Sequence, residues 1–358
     1  MQTIKKTSPY IRKDISTKRM MVDVLIALIP VVAFAIFRFG WDAIIRILLS
    51  LVIMIGFEGL IFGMTHKPGK VEGKWAKIKS RYADYTINNI TAPAVSAIIF
   101  AMIIPPKLPL YAVFIGATFA IVVVKMLFGG LGANIFNVAA AGRRFISIAL
   151  TAFFANAYVG IDLVAGATPL GALKNSLGFP SVLNSYSFID VIFGNIPGTM
   201  GEINAIAILI GLTYLLIRKT IDYRVVLSTA LTFVILISIV GLAKYPDDWM
   251  RFVFYNLFTG GLLFGLTFMV TDPVTSPVTR PGRWIYGLII GTLVVIIRTF
   301  GASAEGVAAS LLLANMFVPL IDYPKWASNK VKPALVISYV VVILIFSAVV
   351  YFGAGGTF

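Results

Sequence analysis

Long runs of apolar residues constrain the fold of this chain more than any other feature. Several runs reach about 18 residues, the length that crosses a bilayer as a helix. The chain is 59% hydrophobic and 13% charged, whereas about a quarter of the residues in a soluble domain are charged. We therefore expect an all-α polytopic membrane protein whose spans satisfy their own backbone hydrogen bonds.

Eleven apolar segments predict about ten transmembrane helices, with one segment re-entrant or a half-helix. They lie at residues 22–38, 42–64, 88–104, 110–127, 136–156, 203–218, 224–243, 250–270, 284–298, 304–320 and 333–352. The predicted division is an N-terminal segment at 1–21, a first transmembrane half at 22–156, a long loop at 157–202 and a second transmembrane half at 203–358.

Basic residues are concentrated in a few loops, and their distribution predicts the orientation. Residues 1–21 and 65–87 carry six Lys and Arg each, and a further basic stretch runs from Arg218 to Arg224. Cytoplasmic loops carry an excess of Lys and Arg, so we expect these regions and the N-terminus to be cytoplasmic. The loop 157–202 has Lys174 as its single base, and counting spans places it on the extracytoplasmic side.

The composition also excludes several classes of function. The net charge of +15 is accounted for by these basic loops, and no basic helix with interleaved aromatics indicates a nucleic-acid partner. The chain has no Cys and one His, so it forms no disulfide and supplies no thiolates to an iron–sulfur cluster. It also lacks the ligands of a His-rich haem or zinc site. Any redox cofactor must be organic or shared with a partner that supplies ligands.

The string from Asp162 to Leu170 carries the most specific chemical signal. It is similar to the flavinylation motif Asp-x-x-Ser/Thr-Gly-Ala-Thr, in which the last threonine, here Thr168, takes FMN through a phosphoester bond. Small neighbours and a following proline would keep that hydroxyl accessible. Ala165 stands where the motif has Ser or Thr, and an ordinary turn is the alternative for this string alone. The candidate cofactor-binding residues are Asp162, Gly166, Ala167, Thr168, Pro169 and Leu170.

Two other segments combine polar side chains with helix breakers at a membrane face. Three glycines interrupt the segment from Lys125 to Arg144, and two prolines interrupt the segment from Met269 to Pro277. Irregular backbone at that depth is tolerated where it is buried in protein or lines a cavity, and broken helix ends can bind an ion or the polar edge of a flavin. Simple tight turns are the alternative. The candidates for a second flavin or an ion path are Asn134, Asn137, Arg143, Arg144, Thr271, Asp272 and Thr275.

Two stretches share a local pattern that predicts an internal repeat. Phe136 to Arg143 and Asp272 to Arg283 both run small residues into Gly-Arg before an apolar helix. Two related halves with broken helices are a common membrane-protein plan, with the site where the halves meet. Later in the chain, Arg298 and Glu305 are close enough in sequence to pair at the membrane surface.

Several stretches carry a resemblance to one family when they are taken in order. They are Ser8 to Arg12 with Met21 to Pro30, Lys125 to Arg143, Ala165 to Leu170, Thr271 to Pro277, and Asn315 to Asp322. In this order they resemble the D-subunit of the Rnf ion-translocating oxidoreductase complex and its homologue, the B-subunit of the sodium-pumping NADH:quinone reductase. The resemblance covers nearly the whole chain, and the short N-terminal region favours the Rnf member. Val138 stands where the family has Pro.

This resemblance implies a covalent FMN on Thr168, attached by a flavin transferase, and related subunits can also hold a second flavin or riboflavin non-covalently. It implies a multi-pass protein of the bacterial or archaeal cytoplasmic (inner) membrane. The complex would carry electrons between ferredoxin and NAD and couple them to Na⁺ or H⁺ translocation. The chain would then be one oxidoreductase subunit, inactive alone, with membrane and peripheral partners that include a second flavinylated subunit and iron–sulfur subunits. No nucleic acid is expected.

The residues alone leave two other functions open. A passive channel or secondary transporter would also use broken helices and small-residue packing, and a flavin-free scaffold subunit would need its spans only to anchor partners. The chain lacks a Gly-x-Gly-x-x-Gly turn opening a soluble helix, so NAD and ferredoxin sites are expected in other subunits.

Overall fold

A computed structural model describes most of the chain, namely residues 16–69, 72–155, 157–158, 168–173, 179, 186–301, 305–323 and 330–355. Within these ranges the protein is helical and contains no strand. The long helices are α1 (Thr17–Phe39), α2 (Trp41–Thr65), α11 (Tyr223–Lys244), α14 (Arg280–Thr299) and α16 (Pro333–Gly353). The medium helices are α4 (Asn88–Met102), α6 (Val138–Ala149), α10 (Ala205–Ile217), α12 (Trp249–Phe258) and α15 (Val307–Ile321). The short helices are α3 (Lys74–Arg81), α5 (Leu110–Thr118), α7 (Thr151–Ala155), α8 (Pro169–Ala172), α9 (Phe188–Phe193) and α13 (Leu262–Phe268).

The five long helices are each long and apolar enough to cross a membrane. Shorter apolar helices accompany them at Asn88–Met102, Leu110–Met126, Ala205–Ile217 and Val307–Ile321. The second of these combines α5 with a π-helix at Phe119–Met126. Many large apolar side chains on these helices are exposed, and α16 buries only Val350. The all-α, polytopic fold expected from the apolar runs is confirmed at this level.

Small residues let the helices approach closely, as in other membrane bundles. A Cβ on Gly142 of α6 would lie 2.8 Å from the Gly116 carbonyl oxygen of α5. A Cβ on Gly291 of α14 would lie 2.9 Å from the Thr229 carbonyl oxygen of α11. Both distances are shorter than real Cβ contacts, so these crossings depend on glycine.

The loops gather at two opposite ends of the bundle. At one end, Asp23 at the start of α1 accepts hydrogen bonds from Arg218 (3.2 Å) and Thr220 (2.8 Å) after α10. At the other end, the Gly201 N–H donates to the Met102 carbonyl (2.7 Å) at the end of α4. We call them the Asp23 end and the Thr168 end. The basic loops and the loop before α10 therefore lie at opposite ends of the bundle, and the side of the membrane that each end faces stays a prediction.

Both predicted interruptions separate helices. Residues 127–137 lie between the π-helix and α6, with positive φ at Gly129, Gly130 and Gly132, and residues 269–279 lie between α13 and α14. The helices after them begin alike, because the side chains of Asn137 and Thr279 each accept from the backbone N–H three residues on. A third interruption, between α12 and α13 at Gly260 and Gly261, falls inside the apolar segment 250–270 and was not predicted.

Candidate functional site

Thr168 starts α8 at the Thr168 end of the bundle. Its side chain is half-buried, and its Oγ1 accepts a hydrogen bond from the Gly171 N–H at 3.1 Å. Pro169 and Leu170, the next two residues of the sequence motif, are buried. The remaining motif residues, Asp162, Gly166 and Ala167, lie outside the described residues. The part of the motif that is described thus presents a hydroxyl oxygen at a helix start, where an acceptor is the usual side-chain role.

A narrow cavity adjoins Thr168. Its volume is about 10 Å³, which is room for about one water molecule. Its wall brings together segments far apart in sequence, including Thr168, Gly198, Glu202, Thr259, Gly260 and Glu305. Thr168 therefore lies beside two acidic residues that the bundle encloses.

Those acids belong to a buried cluster that we call the Thr168 cluster: Arg143, Tyr158, Glu202, Arg298 and Glu305. The Arg143 guanidinium pairs with the Glu305 carboxylate and also donates from Nε to the Ile103 carbonyl at 2.6 Å. The Tyr158 hydroxyl donates to Glu305 at 3.4 Å. The pairing joins α6 to the residues just before α15.

Arg298 is held almost entirely by backbone carbonyls. Its Nε donates to the Glu305 carbonyl at 3.0 Å, and its Nη2 donates to the carbonyls of Thr259 (3.3 Å) and Gly260 (3.0 Å). Its Nη1 donates to the Asn256 carbonyl. The suggested side-chain pairing of Arg298 with Glu305 is therefore wrong in detail, because the Glu305 carboxylate pairs with Arg143.

The break between α12 and α13 explains how the cluster closes around Thr168. Gly260 and Gly261 have φ of 69° and 73°, a conformation that favours glycine. A Cβ on Gly261 would overlap the Glu202 carboxylate, and a Cβ on Gly260 would overlap the Leu170 side chain. The two glycines let the backbone touch both the acid cluster and the residue two positions after Thr168.

Burial changes the proton affinity of this cluster. Glu202 lies in the turn before α10 and is 9% exposed. Its burial, reinforced by the neighbouring Glu305 carboxylate, raises its pKa from 4.5 to about 7. Burial also raises the pKa of the Tyr158 hydroxyl well above its ordinary value. Near neutral pH, Glu202 can therefore exchange a proton while Tyr158 stays protonated.

A second polar region, the Lys125 cavity, lies at the Asp23 end. It has a volume of about 80 Å³ and is lined by Lys125, Asn134, Asn137, Thr220, Thr271 and Asp272, among others. Lys125 pairs with Glu58 of α2 at 2.5 Å, and the two side chains are 3% and 1% exposed. The cavity brings an enclosed ion pair close to amide and hydroxyl groups and to the Asp272 carboxylate.

The structure divides the candidates for a second flavin or an ion path into two groups. Asn134, Asn137, Thr271 and Asp272 line the Lys125 cavity together. Thr275 donates to Asp272 at 3.1 Å. Arg143 belongs instead to the Thr168 cluster, and Arg144 is half-buried beside it on α6.

Sequence reasoning missed the partners within these regions. Neither the pairing of Glu58 with Lys125 nor the position of Glu202 beside Thr168 was predicted. Tyr158 carried no signal at all. The one sequence feature that could have identified Glu58, Glu202 and Tyr158 is that each lies in or next to an apolar segment.

Helix α6 connects the two polar regions. Asn137, which immediately precedes the helix, lies on the wall of the Lys125 cavity. Arg143 of the Thr168 cluster lies six residues after Asn137. At 1.5 Å per residue this separation is about 9 Å along the helix axis. One short helix therefore carries a residue of each region.

Comparison with known proteins agrees with the resemblance seen in the sequence. A family model described as NQR2, RnfD, RnfE family matches residues 4–331. The chain belongs to this family. The B-subunit of the Na(+)-translocating NADH-quinone reductase of Ectopseudomonas mendocina is 32% identical over 354 residues, covering 90% of this chain and 87% of that protein. The D-subunit of the ion-translocating oxidoreductase complex of Shewanella amazonensis is 33% identical over 351 residues, covering 88% and 94%.

Membership of the NQR2, RnfD, RnfE family confirms the resemblance drawn from the ordered motifs. The named relatives are subunits of translocating oxidoreductases, in agreement with the expectation that the chain is one subunit of such an enzyme. Relatives of both kinds match at similar identity. The preference for the Rnf member therefore stays a prediction.

Proposed function

We propose that this protein is the membrane subunit of a redox-driven ion pump that carries FMN covalently on Thr168. One observation carries the proposal: the Thr168 hydroxyl lies on the wall of a cavity that it shares with Glu202 and Glu305. Family membership supports the same assignment. Electron transfer between ferredoxin and NAD, coupled to Na⁺ or H⁺ movement across the inner membrane, is the reaction to which the subunit would contribute.

The geometry of Thr168 fits a phosphoester. Its Oγ1 serves as an acceptor for the Gly171 N–H, and an ester oxygen keeps lone pairs that can accept a hydrogen bond. The side chain is half-buried rather than enclosed, so a transferase could reach it from outside. The adjoining cavity holds about 10 Å³, so the flavin ring would lie outside it.

FMN, when bound, would supply the capacity to accept two electrons and release them one at a time. The residues around Thr168 would fix the link and set its electrostatic surroundings. Arg298 fastens the backbone of Thr259 and Gly260 against the cavity, and the pairing of Arg143 with Glu305 holds α6 beside it. Glu202, with its raised pKa, would hold or release a proton in the cavity wall as the local charge changes.

The Lys125 cavity would serve the ion path or a non-covalent flavin. Its wall offers carbonyl, hydroxyl and carboxylate oxygens from Asn134, Thr271 and Asp272, which are hard ligands suited to a small cation. Since α6 touches both regions, a shift of this helix could couple them. Coupling of this kind requires two arrangements whose balance depends on the redox state.

Flavin attachment can be tested by making the protein alongside its flavin transferase and recording ultraviolet fluorescence after denaturing electrophoresis. The wild type and Thr151→Ala should fluoresce, because Thr151 is an exposed threonine after α6, outside the candidate motif. Thr168→Ala should be dark at equal protein in the membrane. A dark wild type would overturn the proposal and favour a flavin-free channel or scaffold. A fluorescent Thr168→Ala would overturn it by placing the covalent flavin on another residue.

A further inference from the structure

The short helix α3 lies at the level where α2 leaves the bundle. Two contacts fix its C-terminal end to α2: Arg81 donates to the Gly63 carbonyl (3.1 Å), and the Tyr82 hydroxyl donates to the Gly59 carbonyl (3.0 Å). These carbonyls lie two and six residues before the end of α2 at Thr65, which is about 3 Å and about 9 Å along the axis. The end of α3 is thus held beside the last turns of an apolar span.

One face of α3 is apolar and exposed. Trp75 and Ile78 are one turn apart on the same face and are 84% and 49% exposed. None of the residues of α3 is buried, although Tyr82 just after it packs near Phe62 of α2 with ring centroids 6.1 Å apart. Tyr82 therefore anchors the helix, and Trp75 and Ile78 project from it.

The charged residues of α3 are all basic. They are Lys74, Lys77, Lys79 and Arg81. At 100° per residue, Lys74 and Lys79 flank the apolar face on either side. An exposed Trp in a short basic helix at the end of a span is the pattern of a segment that lies in the membrane interface. Basic residues beside a span attract anionic lipid headgroups.

We propose that α3 is a binding surface for anionic phospholipid headgroups. The helix lies flat on the bilayer with Trp75 and Ile78 at the boundary between headgroups and acyl chains. Lys74 and Lys79 contact the lipid phosphates, and Lys77 adds to the positive charge that attracts them. The positive charge of α3 attracts an anionic partner. The contacts with Gly59 and Gly63 hold α3 beside the last turns of an apolar span, where Trp75 and Ile78 would meet acyl chains. These two features favour a lipid over an acidic protein surface.

The binding test uses the full-length protein in nanodiscs of phosphatidylcholine with graded phosphatidylglycerol. Spin-labelled phosphatidylglycerol reports the fraction of lipid immobilised at the protein. The triple variant Lys74→Gln, Lys77→Gln and Lys79→Gln should weaken that association about tenfold or more, since three charges that attract anionic headgroups are lost. The matching Lys→Arg variant should retain it.

A charge-matched control separates a local site from the total charge. Replacing Lys18, Lys219 and Lys332, which are exposed at the same end of the bundle, by Gln removes three charges elsewhere and should leave most of the association intact. Equal loss in both triple variants would overturn the proposal, because it would mean that any surface lysine suffices.

The depth of Trp75 gives an independent measurement. The protein has five Trp residues, so the Trp75 signal is the difference between the wild type and Trp75→Phe. Lipids brominated near the top of the acyl chain should quench this signal in nanodiscs. Absent quenching, or shielding of Trp75 only after other subunits assemble, would overturn lipid insertion and indicate a protein partner instead.

Discussion

The two buried polar regions hold their charges in different ways. In the Thr168 cluster, Arg143 and Arg298 are fixed by carboxylate and backbone oxygens around a cavity of about 10 Å³. In the Lys125 cavity, one ion pair with Glu58 borders a space of about 80 Å³ whose polar lining consists of amide and hydroxyl groups and the Asp272 carboxylate. The cavity beside Thr168 has room for about one water molecule, and the Lys125 cavity can hold several.

This difference indicates a division of labour. A cofactor that passes electrons needs fixed surroundings, because reorganisation costs rate. An ion that enters and leaves needs groups that can exchange water for protein ligands. The crowded region carries Thr168, and the roomy one carries most of the candidate ion ligands, so each has the packing that its proposed role requires.

Breaking the Arg143–Glu305 pair should have the largest effect. Arg143→Gln leaves the Glu305 carboxylate without its partner beside a cavity with room for about one water molecule. We expect a loss of about 3–5 kcal/mol in the free energy of unfolding. Thermal unfolding in detergent, followed by size-exclusion chromatography, measures the loss. Combining Arg143→Gln with Glu305→Gln in one double variant should recover part of the loss. If the losses of the two single variants simply added up in the double variant, the two residues would not interact.

Adding a methyl group at the break between α12 and α13 should cause the second-largest loss in the free energy of unfolding. Gly261→Ala places a Cβ on the Glu202 carboxylate and strains a positive φ, for a cost of about 2–4 kcal/mol. Gly132→Ala is the matched control, because its φ is 88° but no atom lies within 4 Å of the added Cβ. That variant should lose only about 1–2 kcal/mol, and equal losses would argue against close packing at the break.

Lys125→Gln, in the Lys125 cavity, should lower the free energy of unfolding less than Arg143→Gln does. Lys125→Gln leaves Glu58 without its cation, but Lys125 lines the cavity, so the shorter side chain lets water from the cavity enter the vacated space and reach the carboxylate. We expect about 1–3 kcal/mol, the range for a buried group that keeps part of its hydrogen bonding. The same unfolding assay applies to both variants. A loss as large as that of Arg143→Gln would contradict the contrast between a hydrated region and a dry one.

The raised pKa of Glu202 predicts a smaller, pH-dependent effect. The folded protein binds a proton that the unfolded chain releases between pH 4.5 and about 7, so the free energy of unfolding falls as pH rises through that window. Between pH 5 and about 7 the fall is at most about 3 kcal/mol, since one pKa unit is about 1.4 kcal/mol. Glu202→Gln should remove this dependence in melting experiments from pH 5 to 8.

Asp190→Asn is the control for that experiment. Hydrogen bonds from Ser187 hold the pKa of Asp190 below its ordinary 3.8. The stability that Asp190 contributes is therefore lost only at still lower pH, and its removal should leave the slope between pH 5 and 8 intact. If Glu202→Gln kept the wild-type slope of unfolding free energy against pH, Glu202 would not be the group that exchanges the proton.

The apolar runs predicted most helices because span length and hydropathy are local properties. The segment 203–218, for example, becomes Ala205–Ile217. The break at Gly260 and Gly261 escaped prediction because glycine is common in spans. Its need for positive φ arises from contacts with Glu202 and Leu170, which lie far away in sequence.

The candidate site was predictable where a motif marks it and not where partners meet across the fold. Thr168 stood out through its neighbours in sequence. Arg143 was a candidate as an intramembrane charge, but its partner Glu305 lies 162 residues further along. Periodicity does not report such pairings, so Arg143 was grouped with Asn134 and Asn137 although it belongs to the other region.

Peptide mass spectrometry of the protein made alongside its flavin transferase tests the central claim most directly. The account predicts that the peptide containing Thr168 carries the mass of one FMN less one water, and that fragmentation places it on the Thr168 side chain. An unmodified Thr168 peptide, or FMN found on another residue, would contradict the account.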